Sequence, residues 1–385
     1  MKPWANYISY LRLSAFICGC ILCAAATFAE PVEPRFRAQT IDDAIEIGYG
    51  VAAADVDGDG RVDILVADKR QFVWYRNPTW EKFVLAENLT ERDNVCIAAA
   101  DLDGDGKCEI AVGGDWAPND RENSGAVFYL VPPEDRTHKW EAVKLHAEPT
   151  VHRMRWMELR GGEVGLVVAP LHPSARNGAT GSRLLLYHFP DDVRGEWKIS
   201  TLDDTLTATH NFDVVRPGEI LLAGRERVLR IEHGRWSTDH TNPFPEFRGG
   251  GEVRSLRLSG GPVEPLFFAT IEPMHGNQVV IYTAAGRSVL IDRLVEGHAL
   301  ACADLLGLGS DQIVAGWRGG GGGIVMFTPL DNNGEQWRET IIDAGKMACE
   351  DLCLADLDGD GDLDIIASGR ATRNVVIYWN ERVHE

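Results

Sequence analysis

Asp55-Val56-Asp57-Gly58-Asp59-Gly60-Arg61-Val62-Asp63 is the stretch on which the reading of this chain turns. It returns as Asp101-Leu102-Asp103-Gly104-Asp105-Gly106-Lys107-Cys108-Glu109 and as Asp356-Leu357-Asp358-Gly359-Asp360-Gly361-Asp362-Leu363-Asp364. Each copy carries carboxylates at its first, third, fifth and ninth positions and glycine at its fourth and sixth, where the chain must turn tightly. A hard cation such as Ca²⁺ takes about six to eight oxygen ligands, and a tight loop with every second residue acidic supplies them. The peptide oxygen at the seventh position (Arg61, Lys107, Asp362) is a natural further ligand. Without a cation, carboxylates so close would repel one another. A single copy could be a solvated acidic turn. Three copies, each followed by an apolar strand pattern, predict up to three structural Ca²⁺ sites.

Working outward, the loops belong to a longer repeat. Around the first, apolar segments Tyr49–Ala54, Val62–Ala67, Phe72–Tyr75 and Trp80–Leu85 read as four short strands, and the second unit repeats them through Trp140–Leu145. Four antiparallel strands per unit of ~50 residues describe a propeller blade. Five further units follow the pattern, with outer-strand tryptophans at Trp197, Trp236 and Trp337. Tryptophans at matched places read as packing between blades. The last unit lacks an outer strand, and Phe36–Ile41 is an orphan strand before the first. The expectation is an all-β, seven-bladed β-propeller over residues 30–385, with DxDGDGxxD calcium loops and segment 36–41 closing the last blade. In the sixth unit Asp304-Leu305-Leu306-Gly307-Leu308-Gly309-Ser310-Asp311-Gln312 keeps the turn but has leucine where two carboxylates should be, so no metal is expected there. These loops resemble FG-GAP and VCBS repeats, the units of the integrin α-subunit propeller.

Composition narrows the function. The 385 residues are 44% hydrophobic and 25% charged, ordinary for a globular protein. A net charge of −20 argues against nucleic acid as a partner, because phosphate recognition needs basic patches. Residues 1–29 differ from the rest: Lys2 and Arg12 precede an apolar run, Leu13–Ala26, which ends in Thr27-Phe28-Ala29. This is the pattern of a secretory signal peptide and predicts a secreted or periplasmic protein. The run is shorter than the ~20 residues of a spanning helix, so no membrane span is expected after its removal. A lipoprotein site at Cys20 is the weaker reading. Cys96, Cys108, Cys302, Cys349 and Cys353 remain, without metal-site spacing.

The loops join the first and second strands of a blade and so define one face of the ring. The starts of first strands and the ends of second strands lie on the other face, near the axis. Those positions collect His152, His172, His210, His275 and His298, five of the eleven histidines, with Trp116, Arg155, Arg225, Trp317 and Arg318. A lone histidine at a strand end is ordinarily a hydrogen-bonded surface residue. Five converging on one funnel suggest chemistry: aromatic planes for sugar faces, arginine for oxyanions, histidine for proton transfer. The same residue types also make protein-binding surfaces. Strand alternation could turn Arg155 away from the funnel.

Val151-His152-Arg153-Met154-Arg155-Trp156, Ala169-Pro170-Leu171-His172-Pro173, Thr209-His210-Asn211-Phe212, Ile271-Glu272-Pro273-Met274-His275-Gly276-Asn277-Gln278 and Gly297-His298-Ala299-Leu300 resemble the propeller domain of the aldos-2-ulose dehydratases. The resemblance implies a lyase that dehydrates a keto-sugar of the 1,5-anhydrofructose or aldos-2-ulose type. It also implies that base and acid are drawn from the five histidines, with Arg155 or Arg318 holding the enolate oxygen. The cupin domains of that family have no counterpart in this chain, which puts isomerase activity in doubt. One histidine could also ligate a catalytic metal, which spacing neither supports nor excludes. The competing expectation is a non-catalytic FG-GAP/VCBS propeller that binds glycan or protein on the same face.

Overall fold

The computed structural model describes residues 33–176, 178–232, 247, 249–260 and 267–382. The leader expected at residues 1–29 and the outer-strand Trp236 lie outside them. Among the described residues no helix is long and apolar enough to cross a membrane.

The described strands form seven antiparallel sheets, six of four strands and one of three. Each sheet is one blade of a β-propeller. Blade one runs Gly50–Ala54, Asp63–Ala67, Gln71–Arg76 and Glu81–Glu87 from the axis outward. Its second strand is buried along its whole length, and its outermost strand is half-exposed, the gradient expected when each sheet is sandwiched between two others near the hub. The fourth blade shows Thr209–Arg216, Glu219–Gly224 and Val228–Glu232.

Phe36–Asp42 pairs antiparallel with Val375–Asn380, from Phe36 opposite Asn380 to Asp42 opposite Val375, and supplies the outer strand of blade seven. The closure pairs an early strand with the last one and so covers the edge of Val375–Asn380. It is fastened by Trp379 Nε1 donating to Gln39 at 2.9 Å and by an Arg37–Glu381 ion pair at 2.9 Å. Blades seven and one are further tied by Ser368 Oγ donating to the Gly48 carbonyl at 2.7 Å and Asn77 Nδ2 donating to the Leu357 carbonyl at 2.6 Å.

The core lies between neighbouring sheets. One cluster joins Leu65, Phe72, Trp74, Val112, Phe128 and Trp140 of blades one and two, and another joins Tyr129, Trp156, Leu166 and Trp197 of blades two and three. Trp140 and Trp197 pack between blades as the repeat predicts, and each closes a local turn: Trp140 Nε1 donates to Arg136 O at 3.1 Å and Trp197 Nε1 to Val193 O at 3.1 Å. Cys96, Cys108, Cys302, Cys349 and Cys353 are free thiols, and burial pushes each thiol up from its ordinary value.

Candidate functional site

The acidic loops sit between the first and second strands of blades one, two and seven. The first aspartate of each caps its own loop: Asp55 accepts from Gly58 N at 2.7 Å and Gly60 N at 2.8 Å, and Asp101 and Asp356 accept from the matching glycines. Gly58 and Gly60 have φ of 80° and 83°, the left-handed region that favours glycine. The ninth carboxylate folds back to the second residue: Asp63 accepts from Val56 N at 2.9 Å, Glu109 from Leu102 N at 2.8 Å and Asp364 from Leu357 N at 3.2 Å. Asp55, Asp57 and Asp63 bring one carboxylate oxygen each within 4.8 Å of one another, as do Asp101, Asp103 and Glu109, and Asp356, Asp358 and Asp360. Asp59, Asp105 and Asp364 stand outside these groups; Asp59 and Asp105 each accept from the backbone N–H two residues on. Burial raises the Asp63 carboxyl to about 7, the Glu109 carboxyl to about 6 and the Asp364 carboxyl to about 6, with neighbouring loop carboxylates adding to each. Such groups fit a cation, which would remove the cost of ionising them.

The opposite rim is built by β-bulges. In blade three Val151 faces Pro170 and Arg153 faces Ala169, so His152 is an extra residue in the ladder. The same register shift falls between Thr209 and Phe212 in blade four, between Gly297 and Ala299 in blade six, and between Cys349 and Asp351 in blade seven. The residues set out of register are His210 with Asn211, His298, and Glu350. A bulge re-aims side chains and lets two successive residues turn to one side. His275 arrives differently, from the turn after Phe267–Glu272 in blade five, with a φ of 53° that L-residues rarely adopt. Its neighbour must be glycine, since a Cβ on Gly276 would stand 2.1 Å from the Glu272 carbonyl oxygen. The buried Glu272 carboxylate anchors that turn by accepting from Tyr282 Oη at 2.6 Å and Arg287 Nη2 at 2.8 Å.

These devices bring four imidazoles together. His210 is the hub, with Nε2 3.1 Å from His152 Nε2 and 2.7 Å from His275 Nε2. Its Nδ1–H donates to the Gly251 carbonyl at 2.8 Å, with Glu252 Oε1 3.3 Å from the same nitrogen, so that in the neutral ring Nε2 is an acceptor. His298 is set the same way, its Nδ1–H donating to the Glu350 carbonyl at 2.6 Å. His275 and His298 stack at 4.9 Å. His210, His275 and His298 can each offer a ring nitrogen within 4.8 Å of the others. Backbone acceptance of the outer ring N–H is the usual second shell of a metal-ligating histidine. His152 lies beside them under Trp116, whose ring stacks on it at 4.9 Å, and its Nδ1 is buried without a hydrogen-bond partner among the described residues. Burial holds His152 and His298 well below the ordinary histidine value, helped by Arg153 and Arg318 respectively, and brings His275 down to about 3, with His210 adding to the shift. All three are neutral at pH 7.

The other expected site residues divide. Arg318 is held by Glu350 at 2.8 Å and Glu296 at 3.0 Å beside the cluster. Arg155 turns into the central channel below the histidines, where it donates to Asn211 Oδ1 at 2.8 Å and covers the Phe212 ring at 4.9 Å. His172 does not join the four among the described contacts. Its blade continues past Pro170 into a turn, where the His172 backbone pairs with Thr150 Oγ1 and the ring feels Arg121 and Arg225. Arg225 is exposed at that rim, its backbone N–H donating to Ala208 O at 3.0 Å. Trp317 packs into the core between blades five and six, against Gly323, so it is structural rather than an aromatic platform in the funnel. Sequence reading assigned no role to Arg153 or to Glu252, both buried next to the histidines. Burial alone would raise the Glu252 carboxyl, but His210, Arg254 and Arg153 bring it below its ordinary value. The signal for Arg153 lay in view, in a segment where histidine and arginine are consecutive, but strict strand alternation assigns only one of them to the axis.

Comparison with known proteins agrees with this architecture. Residues 55–112 match the FG-GAP-like repeat family. The matched segment spans the first two acidic loops and the strands between them. No curated protein matches the chain. Among solved structures, a chain from "Crystal Structure of Mitotic Checkpoint Complex" is similar with a TM-score of 0.58 and 12% identity, covering 98% of this chain and 100% of that one. A chain from "Crystal structure of BBS1N in complex with ARL6DN, soaked with lead" is similar with a TM-score of 0.55 and 14% identity, covering 91% of this chain and 97% of that one. At these identities the likeness is one of fold.

Proposed function

We propose that this chain is an exported lyase that removes water from a keto-sugar at the histidine rim, with Ca²⁺ clipping its three acidic loops. The observation that carries the reading is the convergence of four imidazoles from four blades, three of them buried and His275 half-buried, with two fixed by backbone carbonyls so that their Nε2 lone pairs face the shared space. A fold needing only a binding face has no reason to bury neutral histidines against one another, since each forgoes hydration. His210, His275 and His298 fit a divalent transition metal, for which imidazole is a favoured ligand. Such an ion would polarise the substrate carbonyl and stabilise the charge that develops on its oxygen.

The chain's own groups supply the proton chemistry. Elimination begins with loss of the proton α to the carbonyl, and a neutral buried imidazole accepts it. His152 fits that role: its Nδ1 is unpartnered among the described residues, and its ring is clamped by Trp116 and His210. The C–H electron pair becomes the enolate, and its return expels the β-hydroxyl. The imidazolium of His152 then protonates the departing hydroxyl, so one water leaves and the base is restored. Arg318, held by Glu350, keeps positive charge beside the rim as the enolate forms.

The test is direct. Purified protein supplied with Ca²⁺ and Zn²⁺ is mixed with 1,5-anhydrofructose or glucosone, and ultraviolet absorbance is followed for the new enone. Absorbance should grow with wild type and not with His152→Asn. A flat trace at high protein concentration would sink the lyase reading. A second reading, a protein- or glycan-binding propeller, draws on the two similar structures, whose titles both describe complexes. That reading predicts a flat trace together with a partner whose binding is lost on substitution at the same rim.

A further inference from the structure

Below the histidines the channel opens into a cavity of about 250 Å³. Its wall is mostly small or apolar, with Gly50, Cys96 and Ala98 from blades one and two. Three charged side chains reach it: Arg153, Arg155 and Asp351. Two of these are already engaged. Arg155 donates to Asn211, and Asp351 accepts from Val51 N at 3.0 Å. Arg153 is different. It is only 4% exposed, and its one described hydrogen bond is a long one, from Nη1 to the Tyr49 carbonyl at 3.5 Å. Its Nε and Nη2 have no partner among the described residues. No carboxylate among them lies within ion-pair distance of it, although Asp351, Glu252 and Glu350 stand close enough to favour its charge.

The identity of the two open nitrogens matters. Nε and Nη2 form one edge of the planar guanidinium, and their N–H bonds point the same way. That edge is a fork matched to two oxygens of a carboxylate or phosphate. The chain uses the same edge elsewhere: Arg183 Nε donates to Glu148 Oε1 at 3.1 Å while its Nη2 donates to Glu148 Oε2. Arg153 lines the cavity, and no described residue fills its fork. A buried charge with two unsatisfied donors is costly to keep.

We propose that the Nε–Nη2 edge of Arg153 is an oxyanion subsite, so that the ligand of the histidine rim is an acidic sugar carrying a carboxylate or a phosphate. The proposal deepens the keto-sugar reading and rests on it for the rest of the ligand. Arg153 directly follows His152 in Val151–Glu158, and its charge is felt by His152, His275 and His298. An anion on the fork and a reacting carbon at the imidazoles can therefore belong to one small molecule. Arg155, one turn of the pleat further along the same strand, adds positive charge to the cavity.

Isothermal titration of the full chain at pH 7, in phosphate-free buffer, tests this with three probes: 2-ketogluconate for the carboxylate, fructose 6-phosphate for the phosphate, and neutral 1,5-anhydrofructose. One of the anionic sugars should bind at least about tenfold more tightly than the neutral one, the size expected of a charge-assisted bidentate pair. Arg153→Gln should remove that preference, and Arg153→Lys, which keeps charge without the fork, should retain only part of it. Equal affinity of wild type for neutral and anionic sugars, or a preference unchanged in Arg153→Gln, overturns the subsite. If Arg153→Gln fails to fold by circular dichroism, the wild-type comparison alone decides. The two readings fail separately: dehydration of neutral keto-sugar without anion preference removes only the subsite, and Arg153-dependent anion binding without dehydration removes only the lyase chemistry.

Discussion

The two faces of the propeller solve opposite problems. On one, each acidic loop is a nine-residue segment that folds on itself: Asp55, Asp101 and Asp356 cap glycines three and five residues on. On the other, no segment contributes more than a residue or two, and the site exists only when blades three, four, five and six stand side by side. The loops are half-exposed and acidic. The rim is largely buried, neutral at His152, His275 and His298, and ringed by Arg153, Arg318, Glu252 and Glu350. A local device can be repeated and lost blade by blade without harm to its neighbours, as the sixth blade illustrates. A convergent device cannot, because each member is set by another: Gly251 and Glu350 carbonyls orient the His210 and His298 rings from adjacent blades.

The largest expected effect breaks the comparison on the rim side. His210→Ala removes the hub of the cluster and should lower dehydration by about a thousandfold, within the range for general acid–base and metal-positioning groups. Asp101→Asn, on the other face, should leave the rate within about twofold at saturating Ca²⁺. Initial rates of enone formation for the two variants measure this, and similar losses would mean that the faces are not separate devices.

Next in size is the loop side. A cation that binds only the folded chain at about a hundred times its Kd adds about 2.7 kcal/mol per site. For a chain of this length, chelation should then lower Tm by roughly 4 °C per loop. The drop should be the same in wild type and in His210→Ala. An unchanged Tm on chelation, read by scanning calorimetry, would count against structural Ca²⁺.

The same contrast explains how far the sequence could be read. The loops were legible because ligand spacing, glycine placement and repetition are all local, and they fixed the blade period and hence the orientation of every strand. Which face holds the histidines followed from that orientation. What could not be read was the set of register shifts at His152, His210, His298 and Glu350, because a bulge depends on the partner strand. Reading strand ends by position alone therefore placed Trp317 in the funnel, where it packs into the core instead, and passed over Arg153. His172 shows the same limit in reverse: it follows a strand that ends at Pro170, and the turn beyond carries it to the rim beside Arg121 and Arg225.

Acid should expose the buried imidazoles next. His275 is held near 3 in the folded chain, against about 6.5 when unfolded. Below pH 6.5 the unfolded state therefore binds the additional proton, so stability is fully present above that value and falls as pH drops from about 6.5 towards 3. With metal removed, His275→Gln should flatten the slope of unfolding free energy against pH by about 1.4 kcal/mol per unit in that window. Urea titrations at pH 4, 5 and 6 measure the difference between variant and wild type. Equal slopes would show that His275 takes up its proton without unfolding.

The smallest effect concerns the sixth-blade loop, where the turn persists without the carboxylates. Asp304 accepts from Leu308 N at 2.8 Å and Gly309 N at 2.7 Å, a variant of the Asp55 cap in which the first bond falls four residues on instead of three. Gln312 Oε1, at the ninth position, accepts from Leu306 N at 2.8 Å, the third residue of the loop, where the ninth carboxylates of the acidic loops accept from the second. Both hydrogen-bonding roles are thus filled by groups that need no cation. Leu308 occupies the fifth position and is 47% exposed, whereas Leu306 at the third is buried. Leu308→Asp should therefore change stability by less than about 0.5 kcal/mol, as surface substitutions do. It should also leave the response to Ca²⁺ unchanged, because one added carboxylate beside Asp304 still leaves leucine and glutamine at the third and ninth positions. Calorimetric scans of this variant with and without Ca²⁺ give the result. A gain in Tm specific to Ca²⁺ would show that the turn is already shaped for the ion and that the fifth-position carboxylate alone was missing. The cap would then be the part of the loop that sets its geometry, with the remaining carboxylates setting only its affinity.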